Sequence, residues 1–172
     1  MTGNNPVDRS KLGTKRHILT DKEGIPLSAV ISSASTHDIK LVTNVINSAV
    51  IRRSSSSSIS KLGIKRRKLQ HLCLDKAYNS EPEEQELIKQ GYLLHIPYKR
   101  KRGEKEKDVK GETQPSLSHK KYPARRWVVE RTNSWHNRFR KLFTRYEKKV
   151  ENYLGLVQFS CSIIIYRKII LG

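Results

Sequence analysis

Two carboxylates stand out in a chain that is otherwise strongly cationic. Asp75 closes the apolar run His71-Leu72-Cys73-Leu74, and Glu130 lies in Arg126-Trp127-Val128-Val129-Glu130-Arg131-Thr132-Asn133-Ser134-Trp135, among cations and aromatics. A pair of Mg2+ ions can activate an attacking oxygen and stabilise a leaving oxygen at a phosphodiester. It needs carboxylates converging from separate elements, with waters in the remaining positions. Asp75 and Glu130, as catalytic groups and metal ligands, would make two thirds of such a site, and the last third is not evident. Each also has a plainer reading. Asp75 fits a turn or cap, and Glu130 fits an exposed ion pair with Arg126, worth about 0.2–0.5 kcal/mol.

The elements that must hold these side chains can be read from periodicity. Lys15 to Thr20 and Leu27 to Ser33 are β-leaning runs separated by Asp21-Lys22-Glu23-Gly24, which predicts an antiparallel hairpin. After Asp38, apolar residues at Ile39, Leu41, Val42, Val45, Ile46 and Val50 predict one helix face covering that sheet. Leu69 to Leu74 reads as a short strand that delivers Asp75 at its end. Ser80 is a candidate N-cap for a helix opening at Glu81-Pro82-Glu83-Glu84, Gly91 stops that helix, and Tyr92 to Pro97 returns as a strand. A long helix over 124–149 is expected next, with Trp127, Val128, Trp135, Phe139, Leu142 and Tyr146 as its core stripe. A second helix, from about Asn152 to Ile170, closes the chain. With about 100° per residue, Arg126, Asn133, Asn137 and Lys141 share the Glu130 face, away from that stripe. The order is that of a mixed α/β layer architecture.

Two segments do not fit regular elements. Residues 52–60, with Ser54 to Ser58, read as a flexible serine-rich linker. Residues 98–121 hold Lys99, Arg100, Lys101 and Arg102 with almost no apolar residue, which predicts a mobile basic loop that contacts DNA backbone or is simply solvated.

The charge names the class of partner. The 172 residues carry 35 Lys and Arg against 16 Asp and Glu, a formal +19, so a polyanion would bind strongly and in a salt-dependent way. Histone-like or ribosomal packing would need the same charge. Cys73 and Cys161 are far apart and belong to no Cys/His cluster, which argues against structural zinc and a disulfide framework and for a reducing cytoplasm. Leu154 to Tyr166 is too short and interrupted to cross a bilayer and reads as a buried helix. The six histidines show no metal-ligand spacing.

A set of short motifs then resembles a known family. Gly13-Thr14-Lys15-Arg16-His17 with Asp21, Gly24-Ile25-Pro26-Leu27, Ser35-Thr36-His37-Asp38, Leu74-Asp75-Lys76-Ala77-Tyr78 and Arg126-Trp127-Val128-Val129-Glu130-Arg131 is similar to bacterial insertion-sequence transposases of the DDE class, in the insertion-sequence-five group. The resemblance runs from Asn5 to Arg167. It implies an RNase H-like mixed sheet flanked by helices, and DNA transposition by metal-dependent cleavage and strand transfer. The implied cofactor is Mg2+ or Mn2+. Asp75 takes the part of the second catalytic carboxylate and Glu130 of the third, with Arg126 in an Arg-x-x-x-Glu signature. Arg131, Asn137, Arg138 and Lys141 become DNA contacts, Asn137 standing where related families place a basic residue. His37-Asp38 matches a family motif with a structural role at the strand-to-helix turn.

The family's first aspartate lies upstream of the segment that here is Asn5-Pro6-Val7-Asp8-Arg9, so the chain is expected to be an N-terminally truncated catalytic domain, inactive alone. The strand that carries that aspartate is central in the implied fold. Its absence would leave unpaired backbone groups at about 1–3 kcal/mol each. Implied partners are double-stranded DNA, an upstream transposase polypeptide and further copies of the chain when active, with no membrane, in a nucleoid-associated setting. Two other classes compete: a non-catalytic basic DNA-binding protein or transposition inhibitor, and a generic RNA-binding or packing protein.

Overall fold

The turn Asp21–Gly24 folds β2 (Leu12–Thr20) back on β3 (Pro26–Ser33) as an antiparallel pair, in register from Thr14 opposite Ser33 to Leu19 opposite Ser28. One Asp21 carboxylate oxygen accepts hydrogen bonds from the backbone N–H of Glu23 at 2.9 Å and of Ile25 at 2.8 Å. Gly24 adopts φ of 83°, a left-handed conformation that glycine enters without a Cβ clash. A short strand that periodicity did not reveal, β1 (Gly3–Asn4), pairs with the start of β2 and makes the sheet three-stranded, in the order β1-β2-β3. The computed structural model describes residues 2–5, 9–51, 57–59, 65–67, 70–78, 80–97 and 125–172.

These residues form two units, one from Met1–Arg52 with Trp127–Gly172 and one from Arg53–Arg126. In the first, the helix expected after Asp38 is shorter than its apolar pattern. A 3-10 turn over Asp38–Leu41 leads into α1 (Val42–Asn47), and Val50 and Ile51 are 88% and 72% exposed. The cause is backbone competition: the N–H of Val50 bonds to the Leu27 carbonyl of β3 at 3.1 Å instead of continuing the helix. Lys15 closes the strand-to-helix turn, with its ammonium on the Thr36 carbonyl at 3.0 Å and on Asp38 Oδ1 at 2.9 Å. That is the structural role expected for the segment containing Asp38.

The long helix expected over 124–149 is broken. It divides into α3 (Arg126–Asn137) and α4 (Arg140–Phe143), followed by non-helical chain up to α5 (Val150–Ile169). The buried face of α3 is Val128, Thr132 and His136, spaced four apart, so a straight continuation would bury Arg140 next. Extended backbone at Phe139 resets the phase. Leu142 then joins Ile31, Tyr153, Val157 and Cys161 in the core, and Arg140 stays exposed. Trp127 and Tyr146, expected in the core stripe, are 54% and 77% exposed.

Helix α5 buries Tyr153, Val157, Ser160, Cys161 and Ile164 along one stripe while Phe159 and Tyr166 face outward, so it is amphipathic rather than wholly buried. Among the described residues no helix is long and apolar enough to cross a membrane.

The second unit holds a two-stranded antiparallel pair, β4 (Ser57–Ile59) with β5 (Lys65–Arg67). Ser57 and Ser58, expected in an irregular linker, are thus in a strand; residues 52–56 and 60 of that stretch lie outside the described residues. Strand β6 (Gln70–Cys73) runs parallel to β7 (Tyr92–His95), and α2 (Glu81–Lys89) makes the crossover between them. Ser80 occupies the N-cap with extended backbone, but its hydroxyl bonds to the Glu83 carboxylate rather than to a backbone N–H. Gly91, at φ of 83°, turns the chain into β7. Leu72 and Leu87 are the buried apolar side chains of this unit among the described residues.

Candidate functional site

Asp75 is held by the parallel ladder of the second unit. The last cross-strand bond, from Leu74 N–H to the His95 carbonyl, is 3.1 Å long, and Asp75 follows immediately beyond the carboxyl end of β6. Its carbonyl accepts the N–H of Tyr78 at 3.0 Å and so opens a 3-10 turn over Lys76–Tyr78. The backbone of Asp75 thus makes the turn, and the half-buried residue stands just beyond the carboxyl end of a parallel strand.

Glu130 lies in the first unit, on α3, and is exposed. Val128 and Thr132 on either side are buried, so the helix turns Glu130 away from the core. Two devices fix α3 against the β2–β3 turn. Thr132 Oγ1 donates to the Gly24 carbonyl at 2.7 Å, with the Val128 carbonyl also within 3.2 Å. One turn of helix after Trp127 and one before Trp135, the Arg131 guanidinium lies 4.8 and 5.1 Å from their ring centres and donates to the Glu23 carbonyl. Arg131, expected as a DNA contact, is thereby tied to the hairpin. A Cβ on Gly24 would stand 3.0 Å from Thr132 Oγ1 and 3.1 Å from Arg131 Nη2 in a left-handed backbone. Gly24→Ala is expected to lower stability by about 1–2 kcal/mol, measured as a fall in the denaturant midpoint at unchanged slope.

Of the other expected DNA contacts, Asn137, Arg138 and Lys141 are all exposed. Asn137 ends α3 and accepts a 2.7 Å hydrogen bond from Arg16 Nη2, while Lys141 lies on α4 and not on the Glu130 helix. Arg126 is the first residue of α3, and its side chain lies outside the described residues, as do Lys99, Arg100, Lys101, Arg102 and all of residues 98–121, where the basic loop was expected.

The sequence reading missed a buried polar pair beneath α3. His136 is fully buried, with Nε2 at 3.6 Å from Cys161 Sγ and Nδ1 without a partner among the described residues. Burial, with the Arg16 cation adding to it, lowers its pKa to about 4, and burial raises the Cys161 thiol to about 11. His17 is also lowered by burial, and its Nε2 is 2.8 Å from Ser32 Oγ. The spacing of Val128, Thr132 and His136 was a usable signal, hidden because two of the three are polar. Both cysteines are free, Cys73 exposed and Cys161 buried.

Carboxylate oxygens are the hard donors that Mg2+ and Mn2+ take, so Asp75 and Glu130 suit such an ion by type. Among the described residues no group of three His, Cys, Asp or Glu side chains could hold a metal.

Residues 2–164 match the family described as Transposase DDE domain. Over 168 residues the chain is 30% identical to a Burkholderia cepacia protein named "Putative transposase for insertion sequence element IS402", covering 96% of this chain and 68% of that protein. No solved structure matches. A match running through the hairpin, the Asp75 strand and the Glu130 helix alike shows that this chain belongs to the DDE transposase family.

Proposed function

We propose that this chain carries part of the catalytic centre of a bacterial insertion-sequence transposase of the insertion-sequence-five group, one that cuts DNA at element ends and transfers the strand. The observation that carries the reading is Asp75, placed beyond the carboxyl end of a parallel strand in a DDE-family chain whose α3 presents Glu130 to solvent. An RNase H-like arrangement is the fold this reading expects, with both carboxylates serving one centre.

Asp75 and Glu130 would hold Mg2+ or Mn2+, which when bound supplies charge stabilisation at the phosphodiester and lowers the pKa of an attacking water. The chain's own contribution is positioning. The β6–β7 ladder fixes Asp75 by its backbone, and the Thr132–Gly24 and Arg131–Glu23 contacts hold α3 so that Glu130 keeps its direction. Exposed Arg138 and Lys141 offer cations to phosphate oxygens, which set register without reading sequence. The family resemblance assigns its first aspartate to none of these residues, and that carboxylate is the third group this reading expects in the centre. Activity is proposed to involve further copies of the chain on DNA in the bacterial cytoplasm.

The test is cleavage of duplex DNA bearing the element's ends, with and without chelator, by the chain alone and with a polypeptide supplying the first aspartate. Chelator-sensitive nicking in the supplemented reaction is the expected result. DNA binding with no cleavage in any combination would leave a non-catalytic DNA-binding protein, which the +19 charge also favours. Arg138→Ala and Lys141→Ala are each expected to weaken duplex binding evenly across sequences. Each should also reduce the slope of log affinity against log salt by about 1, read by titration at several salt concentrations.

A further inference from the structure

The break between α4 and α5 builds a feature that the proposed cleavage chemistry does not use. An open groove of about 510 Å3 runs between β2 and the α4–α5 connection, wholly within the first unit. Phe143 and Tyr146 line it, and they are 72% and 77% exposed. The connection is neither helix nor strand, yet Arg145 braces it. Its Nε donates to the Glu147 carbonyl at 2.8 Å, Nη2 to the Lys148 carbonyl at 3.3 Å and Nη1 to Thr14 Oγ1, while its guanidinium lies 5.0 Å from the ring centre of Tyr153. The two rings are therefore presented by a segment fixed before any ligand arrives.

The groove wall is cationic. Arg16, Arg145 and Lys148 line it against a single acid, Glu147. Arg145 is engaged internally and half-buried Arg16 donates through Nη2 to Asn137 with its Nη1 buried, so exposed Lys148 is the lining cation left open to a ligand among the described residues. Exposed flat rings with an open cation beside them in a positively charged wall match a ligand that has a flat face and an anionic link, which is a nucleotide of a single strand. A paired duplex keeps its base faces stacked inside and offers such rings only its backbone.

We propose that this groove binds unpaired nucleotides of a DNA strand, with bases on Phe143 and Tyr146 and a phosphate on Lys148. The proposal rests on the transposase reading only in taking DNA as the polymer. It adds a single-strand subsite in the first unit that is built from none of the candidate catalytic residues.

Fluorescence anisotropy of the full chain with a labelled oligodeoxythymidylate and with a labelled duplex tests it. Base stacking is worth about 5- to 150-fold in affinity for each ring. The Phe143→Ala, Tyr146→Ala double variant is thus expected to lose at least about 25-fold on the single strand and less than about twofold on the duplex. A Phe143→Tyr, Tyr146→Phe double variant should keep single-strand affinity. Single-strand binding unchanged by the alanines, or equal losses on both substrates, would overturn the groove. Absence of duplex binding by the parent chain would instead count against the transposase reading, while the single-strand comparison still decides the groove.

Discussion

Asp75→Asn and Glu130→Gln are each expected to reduce metal-dependent cleavage by about 10^3-fold or more in the supplemented reaction, with duplex affinity changed by less than about twofold. Each substitution keeps the side chain's shape and removes one negative charge, so it removes what a divalent ion needs and little else. Neither should unfold the chain. Glu130 is exposed and Asp75 lies just beyond the last ladder bond, so neither change removes a buried apolar side chain or a ladder hydrogen bond. Carboxylates that share one metal centre act as a unit, so the double variant is expected to be no slower than the worse single one. Independent, multiplying losses would mean that the two residues serve separate steps. Cleavage that survives Glu130→Gln would remove Glu130 from the centre.

Acid is expected to weaken the first unit through His136. The folded chain holds this imidazole near a pKa of about 4, because it is buried and lies near the Arg16 cation, against an ordinary 6.5 in the unfolded chain. Between those values the unfolded state binds more protons, so stability rises with pH across the window. The contribution is complete above about pH 6.5 and fades as pH falls, reaching a loss of about 3 kcal/mol by pH 4. His17, shifted in the same direction by burial, adds to the slope. Denaturant melts of parent and His136→Gln from pH 7 to 4 separate the two, since the variant lacks this titration and should show the shallower dependence. Parallel curves would place the acid sensitivity elsewhere.

Local signals carried most of the fold. The hairpin was legible because Asp21 and Gly24 encode their turn directly: a side-chain acceptor for two backbone donors, then a residue that tolerates positive φ. The strand ending at Asp75, the helix from Glu81 and the stop at Gly91 were legible for the same reason. Errors fell where tertiary demands overrode periodicity. Trp127 looks like core by composition, yet the buried face of α3 runs through Thr132 and His136, whose polarity is satisfied, or left as a buried neutral ring, by partners distant in sequence. The break at Phe139 was equally hidden, because only the geometry of the core shows that Leu142 must be buried and Arg140 must not. For the candidate site, the residue types and elements of Asp75 and Glu130 were readable, as was the family, now supported by a match over residues 2–164. The tethering of Arg131 and the pairing of Arg16 with Asn137 were not, since each joins residues more than 100 positions apart.

The contrast between the two thiols gives the chain a built-in reporter. Cys161 is buried with a pKa of about 11 and should stay inert near neutral pH, whereas exposed Cys73 sits two residues before Asp75 on a rigid strand. A maleimide dye or nitroxide should therefore attach once per molecule, without any engineered cysteine. Under the proposed function, its emission or relaxation should change when manganese or DNA is added, and the Asp75→Asn variant should lose the manganese response.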